Sequence, residues 1–379
     1  MLHRRALTKA VAAGTAVLTV ASLGVGAASG SSQTATHHRH SHHAHRAHHH
    51  DAATWRQRTR HHVRSHFRHV LLPPKKYYGV YASQAPASMA PVDRIAQETG
   101  KYPNLSLFYR AWDNAAAHGR SNIPVAAIRN ACDAGMLPMM TWESWDTANG
   151  DSDGPKWSQP AFAPSLIAHG RYDAYVKASA ETIESLPCSI AIRLDQEDNS
   201  YWYPWAIATR GMHNSAADYV AMWRHVWSIF NKVGAKNVVW VWSPNLQSRQ
   251  HAGLPSLHAS YPGGRYVDWV GIDGYIYGNP RLTFHQRFQP TFDQLRKFVP
   301  NTPWIIAECG VGDAASKPRQ LRNLVRAVAR RKRLTGFNYF DANKSSSAAN
   351  WRFEDSQASL DAFRRAINST DYAAARNGR

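Results

Sequence analysis

The side chains best suited to chemistry are gathered in residues 192–205, where Arg193, Asp195, Gln196, Glu197, Asp198 and Asn199 lead directly into Tyr201, Trp202, Tyr203 and Trp205. Carboxyl groups move protons, and flat rings stack on the apolar faces of pyranose sugars. A solvated acidic loop seldom carries so many large rings, so the stretch reads as the mouth of a sugar-binding cleft. A second carboxylate of interest, Glu308, follows the apolar run 303–307. Hydrolysis of a glycosidic bond needs two carboxyl groups. One protonates the departing oxygen, and the other attacks the anomeric carbon or activates water. Glu197 and Glu308 are the candidate pair.

These residues need elements to place them. Residues 189–194, just before the acidic cluster, are β-branched and aliphatic and predict a buried strand. From residue 77 onward the same kind of run recurs at 78–81, 105–112, 137–142, 237–242, 268–273, 303–308 and 335–340. Amphipathic helices are predicted at 92–98, 125–134, 172–186, 217–232, 292–298, 319–332 and 356–367. This rhythm predicts a (β/α)8 TIM barrel over 77–379. In such barrels the functional side chains stand at the carboxyl ends of the strands. Those ends supply Trp142 and Glu143, Glu197, Trp242, Asp273 and Tyr275, Glu308, then Phe340 and Asp341. Trp142, Trp202, Trp205, Trp242 and Trp351 are the expected sugar platforms.

Charge is unevenly spread. The formal total is +19, but residues 31–76 hold nine Lys and Arg against the single Asp51. With no basic helical stripe or binding motif evident in the body, nucleic acid is not an expected partner. Residues 1–30 read as a signal peptide: Arg4, Arg5 and Lys9, then a small apolar run, then Gly26, Ala27, Ala28 and Ser29. The paired arginines are compatible with twin-arginine export as well as the general route. A secreted protein without stable membrane insertion is expected. Residues 31–76 form a His/Arg-rich linker, with nine histidines between His37 and His50. It reads as a spacer, or as a contact for anionic cell-wall polymer that strengthens as histidines protonate. A monomer is expected.

Only three cysteines are present, none in paired metal-binding spacing, so no metal or other cofactor is expected. Cys132 and Cys188 each precede a strand. If those strands are barrel neighbours, both lie at its bottom rim and can pair. Cys309 reads as a small buried hydrophobe.

Over about residues 77–363 the chain resembles glycoside hydrolase family 26, whose best-known members are endo-β-1,4-mannanases. The resemblance rests on Gly79-Val80-Tyr81, on Arg193 with Glu197-x-Asn199-x-x-Trp202-Tyr203-Pro204-Trp205, and on Val241-Trp242-Ser243-Pro244-Asn245. Residues 266–275 and Ile306-Ala307-Glu308-Cys309-Gly310 complete it. It implies a retaining double displacement with Glu197 as acid/base and Glu308 as nucleophile, and Tyr275 holding the nucleophile. Arg193, Asn199, Trp202 and Asp273 belong to the substrate-binding set that the resemblance implies. In the family a histidine usually precedes the acid/base, whereas this chain has Gln196, which can hydrogen-bond a sugar hydroxyl but cannot titrate. Asp198 replaces an apolar residue and would raise the proton affinity of Glu197 if close enough. Mannan is the first substrate implied, with β-glucan or β-1,3-xylan as alternatives. A catalytically inactive carbohydrate-binding or wall-associated protein on the same barrel is the competing reading.

Overall fold

The structure, a computed structural model, describes residues 67–151, 154–155, 157–247, 256–312, 315–343 and 350–375. The expected signal peptide and most of the His/Arg-rich segment lie outside the described residues.

Eight strands form the core: β1 (Tyr77–Ala82), β2 (Leu105–Ala111), β3 (Leu137–Glu143), β4 (Ile190–Leu194), β5 (Val238–Trp242), β6 (Trp269–Ile276), β7 (Trp304–Val311) and β8 (Leu334–Asp341). All pair in parallel with their chain neighbours, and β1 pairs with both β2 and β8, which closes the barrel. The strands are apolar on both faces because both are covered. One face fills the barrel with Leu105, Leu107, Met139, Ala191, Val239, Val241, Ile305 and Ala307. The other packs against helices, through residues such as Met140, Ile192, Trp240 and Ile306.

Helices α1 (Ala90–Thr99), α2 (Val125–Asp133), α3 (Asp173–Glu184), α4 (Ala216–Val233), α5 (Phe284–Leu295), α6 (Lys317–Arg330) and α7 (Gln357–Asn368) surround the strands. Capping chemistry sets where several begin. Ser215 and Asp218 form a reciprocal cap at α4, as do Thr283 and Gln286 at α5. The second cap explains why the helix expected at 292–298 starts earlier, at Phe284, and runs through Pro290. Between β5 and β6 the only helix among the described residues is the short Leu257–Ser260.

Two expectations need correction. The end of the segment expected as a linker up to residue 76 is not separate from the barrel. Phe67, Val70 and Leu71 pack against the inner cluster, Tyr77 donates its hydroxyl to the Val70 carbonyl at 3.0 Å, and Trp269 donates Nε1–H to Leu71 at 3.0 Å. The end of the supposed 31–76 linker thus closes the amino-terminal end of the barrel, because apolar side chains there meet an otherwise open core. A basic helical stripe also exists. On α6, Arg319, Arg326 and Arg330 are exposed. At the same amino-terminal rim, Cys132 and Cys188 form a disulfide, with Cα atoms 6.2 Å apart. Among the described residues no helix is long and apolar enough to cross a membrane.

Candidate active site

The end of β4 turns sharply into the carboxyl-terminal mouth. Asp195 and Glu197 both adopt left-handed backbone, with φ of 43° and 56°. Such conformations cost roughly 1–3 kcal/mol each and persist only where surroundings fix them. Here Asp195 N–H donates to Trp142 O at 3.0 Å, and its carboxylate accepts from Ser144 N–H and Oγ–H at 2.8 and 2.7 Å. Glu197 N–H donates to Ser243 O at 2.7 Å. The turn is clamped to the ends of β3 and β5.

The side chain of Glu197 is buried and held by two donors. Trp202 Nε1–H reaches Oε2 at 2.7 Å, and Asn245 Nδ2–H reaches Oε1 at 2.5 Å. Burial pushes its carboxyl up to about 7, with the charge of Glu308 acting in the same direction and the two donors opposing it. Asn245 is fixed in turn: Asn199 Oδ1 accepts its backbone N–H at 2.8 Å, and Asn199 Nδ2 donates to its carbonyl at 2.9 Å.

Glu308 owes its direction to a β-bulge. Gly271 stands opposite Ile305, but Asp273 stands opposite Glu308, so β7 carries one more residue than β6 over this interval. The same surplus appears against β8, where Phe337 faces Ile306 and Tyr339 faces Cys309. Regular alternation would place Glu308 opposite in sense to the inward Ala307; the extra residue turns it into the barrel mouth and leaves Cys309 facing outward. There Glu308 accepts hydrogen bonds from the hydroxyls of Tyr109 and Tyr275 and an ion pair from Arg193 at 2.8 Å. Arg193 is fully buried. Its guanidinium also donates to Asp273 at 2.9 Å and to Thr141 at 2.8 Å, and Asp273 accepts from Ser243 as well.

A third carboxyl lies beside the pair. Glu143, at the end of β3, accepts from Gln196 Nε2 at 2.8 Å, and burial pushes its carboxyl up to about 8. Asp198 is likewise pushed up to about 7, burial first and the charge of Glu197 adding to it.

The fold therefore brings Arg193, Gln196, Glu197, Asn199, Trp202, Glu143, Asp273, Tyr275, Glu308 and Trp351 to one end of the barrel, with different duties from those expected of some. Trp202 turns its indole N–H to Glu197, and Trp351 packs on Tyr275 with ring centroids 4.4 Å apart. Asn199 braces Asn245. Trp142 and Trp242 are corrections: both are fully buried in the layer between barrel and helices. Trp142 packs on Trp112 and Tyr175, and Trp242 on Tyr261 and Phe298. Their neighbours Thr141 and Ser243 point inward, so alternation sends the tryptophans outward. Trp205 is also core, stacked on Tyr203. Sequence reasoning did not single out Asn245 and Tyr109; each stands at a strand end, which is the signal that could have found them. Among the described residues no group of three or more His, Cys, Asp or Glu could hold a metal ion.

Fold and site together define a (β/α)8 barrel with paired carboxylates at the ends of its fourth and seventh strands. Residues 168–300 match the family model for Glycosyl hydrolase family 26. Over 248 residues the chain is 30% identical to Endoglucanase H of Acetivibrio thermocellus, an alignment covering 62% of this chain and 25% of that protein. The chain thus spans about a quarter of the length of the curated relative it matches. In fold it is similar to a GH26 β-mannanase from Bacteroides ovatus, with TM-score 0.59 and 16% identity over 80% of this chain and 92% of the other. It is also similar to the GH26 domain of an endo-β-mannanase/endo-β-glucanase from Prevotella bryantii, with TM-score 0.55 and 17% identity over 82% and 94%. The chain is thus similar to glycoside hydrolase family 26 in sequence over residues 168–300 and to its solved members in fold.

Proposed function

We propose that this chain is a retaining glycoside hydrolase acting within β-1,4-mannan. Glu197 gives its proton to the departing glycosidic oxygen while the Glu308 carboxylate bonds to the anomeric carbon. Water then displaces Glu308, and Glu197 takes the water's proton, which restores both groups. What supports the reading is the contrast between the two sites. Glu197 is pushed up to about 7 and so keeps a proton to donate in mildly acid solution. Glu308 meets a guanidinium and two phenolic donors, the surroundings that suit attack as an anion.

A second reading, β-glucan as substrate, is favoured by the relative named as an endoglucanase. Reducing-sugar release from mannan, mixed-linkage β-glucan and β-1,3-xylan by wild type and Glu197→Gln decides between them. Turnover of mannan that the variant loses supports the first reading. Binding to any of these polymers without turnover by the wild type would mark an inactive carbohydrate-binding protein instead. We also propose that residues 1–30 direct export, and that the histidine-rich segment contacts anionic wall polymer. Since residues 67–76 belong to the barrel, the deletion that tests the tail is 31–66, which should leave turnover of soluble substrate intact.

A further inference from the structure

Among the described residues, the large hydrophobic side chains that remain exposed are Leu72, Tyr201 and Tyr277. Leu72 lies at the amino-terminal end of the barrel, below the cleft. The two tyrosines lie at the opposite end, one beside each half of the carboxylate pair. The ring of Tyr201 stands edge-on to Trp202, with centroids 4.8 Å apart, and Trp202 holds Glu197. Tyr277 stands edge-on to Trp351 at 5.7 Å; Trp351 packs on Tyr275, and Tyr275 holds Glu308. Each tyrosine is thus the outer member of an aromatic chain leading inward to one carboxyl group. The tryptophans expected to be platforms have little free surface, 8% for Trp202 and 3% for Trp351, whereas Tyr201 and Tyr277 are 38% and 39% exposed.

From this arrangement we infer that Tyr201 and Tyr277 are the sugar-stacking platforms of two outer subsites, one on the Glu197 side of the cleft and one on the Glu308 side. The ligand is a β-linked glycan chain long enough to reach beyond the scissile bond in both directions. Pyranose rings of such a chain present patches of C–H groups that pack on an aromatic face, and the burial of apolar area favours the contact. Both rings are held before ligand arrives, which lowers the ordering cost of binding. Tyr277 is the more firmly set. The Arg287 guanidinium lies 5.7 Å from its ring centroid and donates from Nε to the Tyr275 carbonyl at 2.9 Å, so that the cation is fixed against the strand end that carries the ring. Tyr201 rests edge-on against Trp202, so a sugar stacked on it stays in register with the residue that orients Glu197. The inference deepens the hydrolase reading and rests on it.

Tyr201→Ala, Tyr277→Ala, the double variant and the matching Tyr→Phe variants test it, each compared with wild type on polymeric mannan or β-glucan and on oligosaccharides of increasing length. Losing a stacking face should raise KM on long chains about fivefold or more, with kcat changed far less and with the penalty growing as the chain lengthens. Phenylalanine keeps the face and should restore most of the affinity. Equal KM for wild type and both alanine variants on long chains would overturn the inference; so would phenylalanine variants as weak as alanine, since the hydroxyl would then be the contact. Retardation of each protein in gels cast with the same polysaccharides reads binding without turnover. A wild type that is retarded but hydrolyses nothing sinks the hydrolase reading while the platforms are still judged by the alanine variants. A wild type that cleaves polymer and loses nothing in those variants sinks the platforms alone.

Discussion

Asp273 and Glu308 are register partners on adjacent strands, and a single guanidinium, that of Arg193, binds both carboxylates at 2.9 and 2.8 Å. The bulge in β7 makes this possible, and Arg193 supplies the positive charge that lets two acidic groups share a buried site. Arg193→Met should therefore cost about 3–5 kcal/mol of stability, because removing one partner leaves buried carboxylates uncompensated. Arg193→Lys should recover only part, since a point charge cannot reproduce the two-sided fork. Urea unfolding midpoints check both; a loss below about 1 kcal/mol for the methionine variant would contradict the assignment.

The hold on Glu197 makes a prediction about pH. Its carboxyl is pushed up to about 7, so kcat/KM should fall as pH rises through that region and the donating proton is lost. Asn245 stabilises the anion, so Asn245→Ala should raise the proton affinity and move the alkaline limb to higher pH. The pH–rate profiles of the two proteins measure the shift. A limb that moves down would show that the amide works otherwise.

Buried acids should also make the fold itself sensitive to alkali. Asp195 and Asp198 are pushed up to about 7 and Glu143 to about 8, burial being the largest cause in each. Their folded-state values exceed those of the unfolded chain, near 4. The native state therefore binds more protons between these limits. Its stabilisation is complete below the unfolded value and is lost as pH rises through the folded one. Melting temperature should decline between pH 5 and pH 8, and Asp198→Asn should flatten that slope. Thermal scans at fixed ionic strength read it directly; a rising melting temperature over the interval would refute the sign.

Much of this was legible because barrel strands are apolar runs that end abruptly in chemistry. Arg193, Glu197, Asp273, Tyr275 and Glu308 could be picked from their positions at strand ends. Facing was harder to read. Trp142 and Trp242 sit one residue from inward-pointing Thr141 and Ser243, and a strand buried on both sides gives no polar alternation to show which is which. The bulge that turns Glu308 inward leaves no mark in Ile305-Ile306-Ala307-Glu308. Long-range partnerships were likewise hidden. Tyr109 meets Glu308 across the barrel mouth, and nothing in its own neighbourhood announces an acidic partner. The helix expected only at 292–298 starts earlier because of a capping box, and the end of the expected 31–76 linker packs on the open end of the barrel.

Covalent trapping tests the central claim most directly. A 2-deoxy-2-fluoro β-glycoside with a good leaving group slows both steps by withdrawing charge from the anomeric centre, while the reactive leaving group keeps bond formation faster than hydrolysis. Mass spectrometry of the digested protein should then find the sugar esterified to Glu308, with activity lost in proportion to labelling. A label on Glu197 or on any other residue would contradict the account.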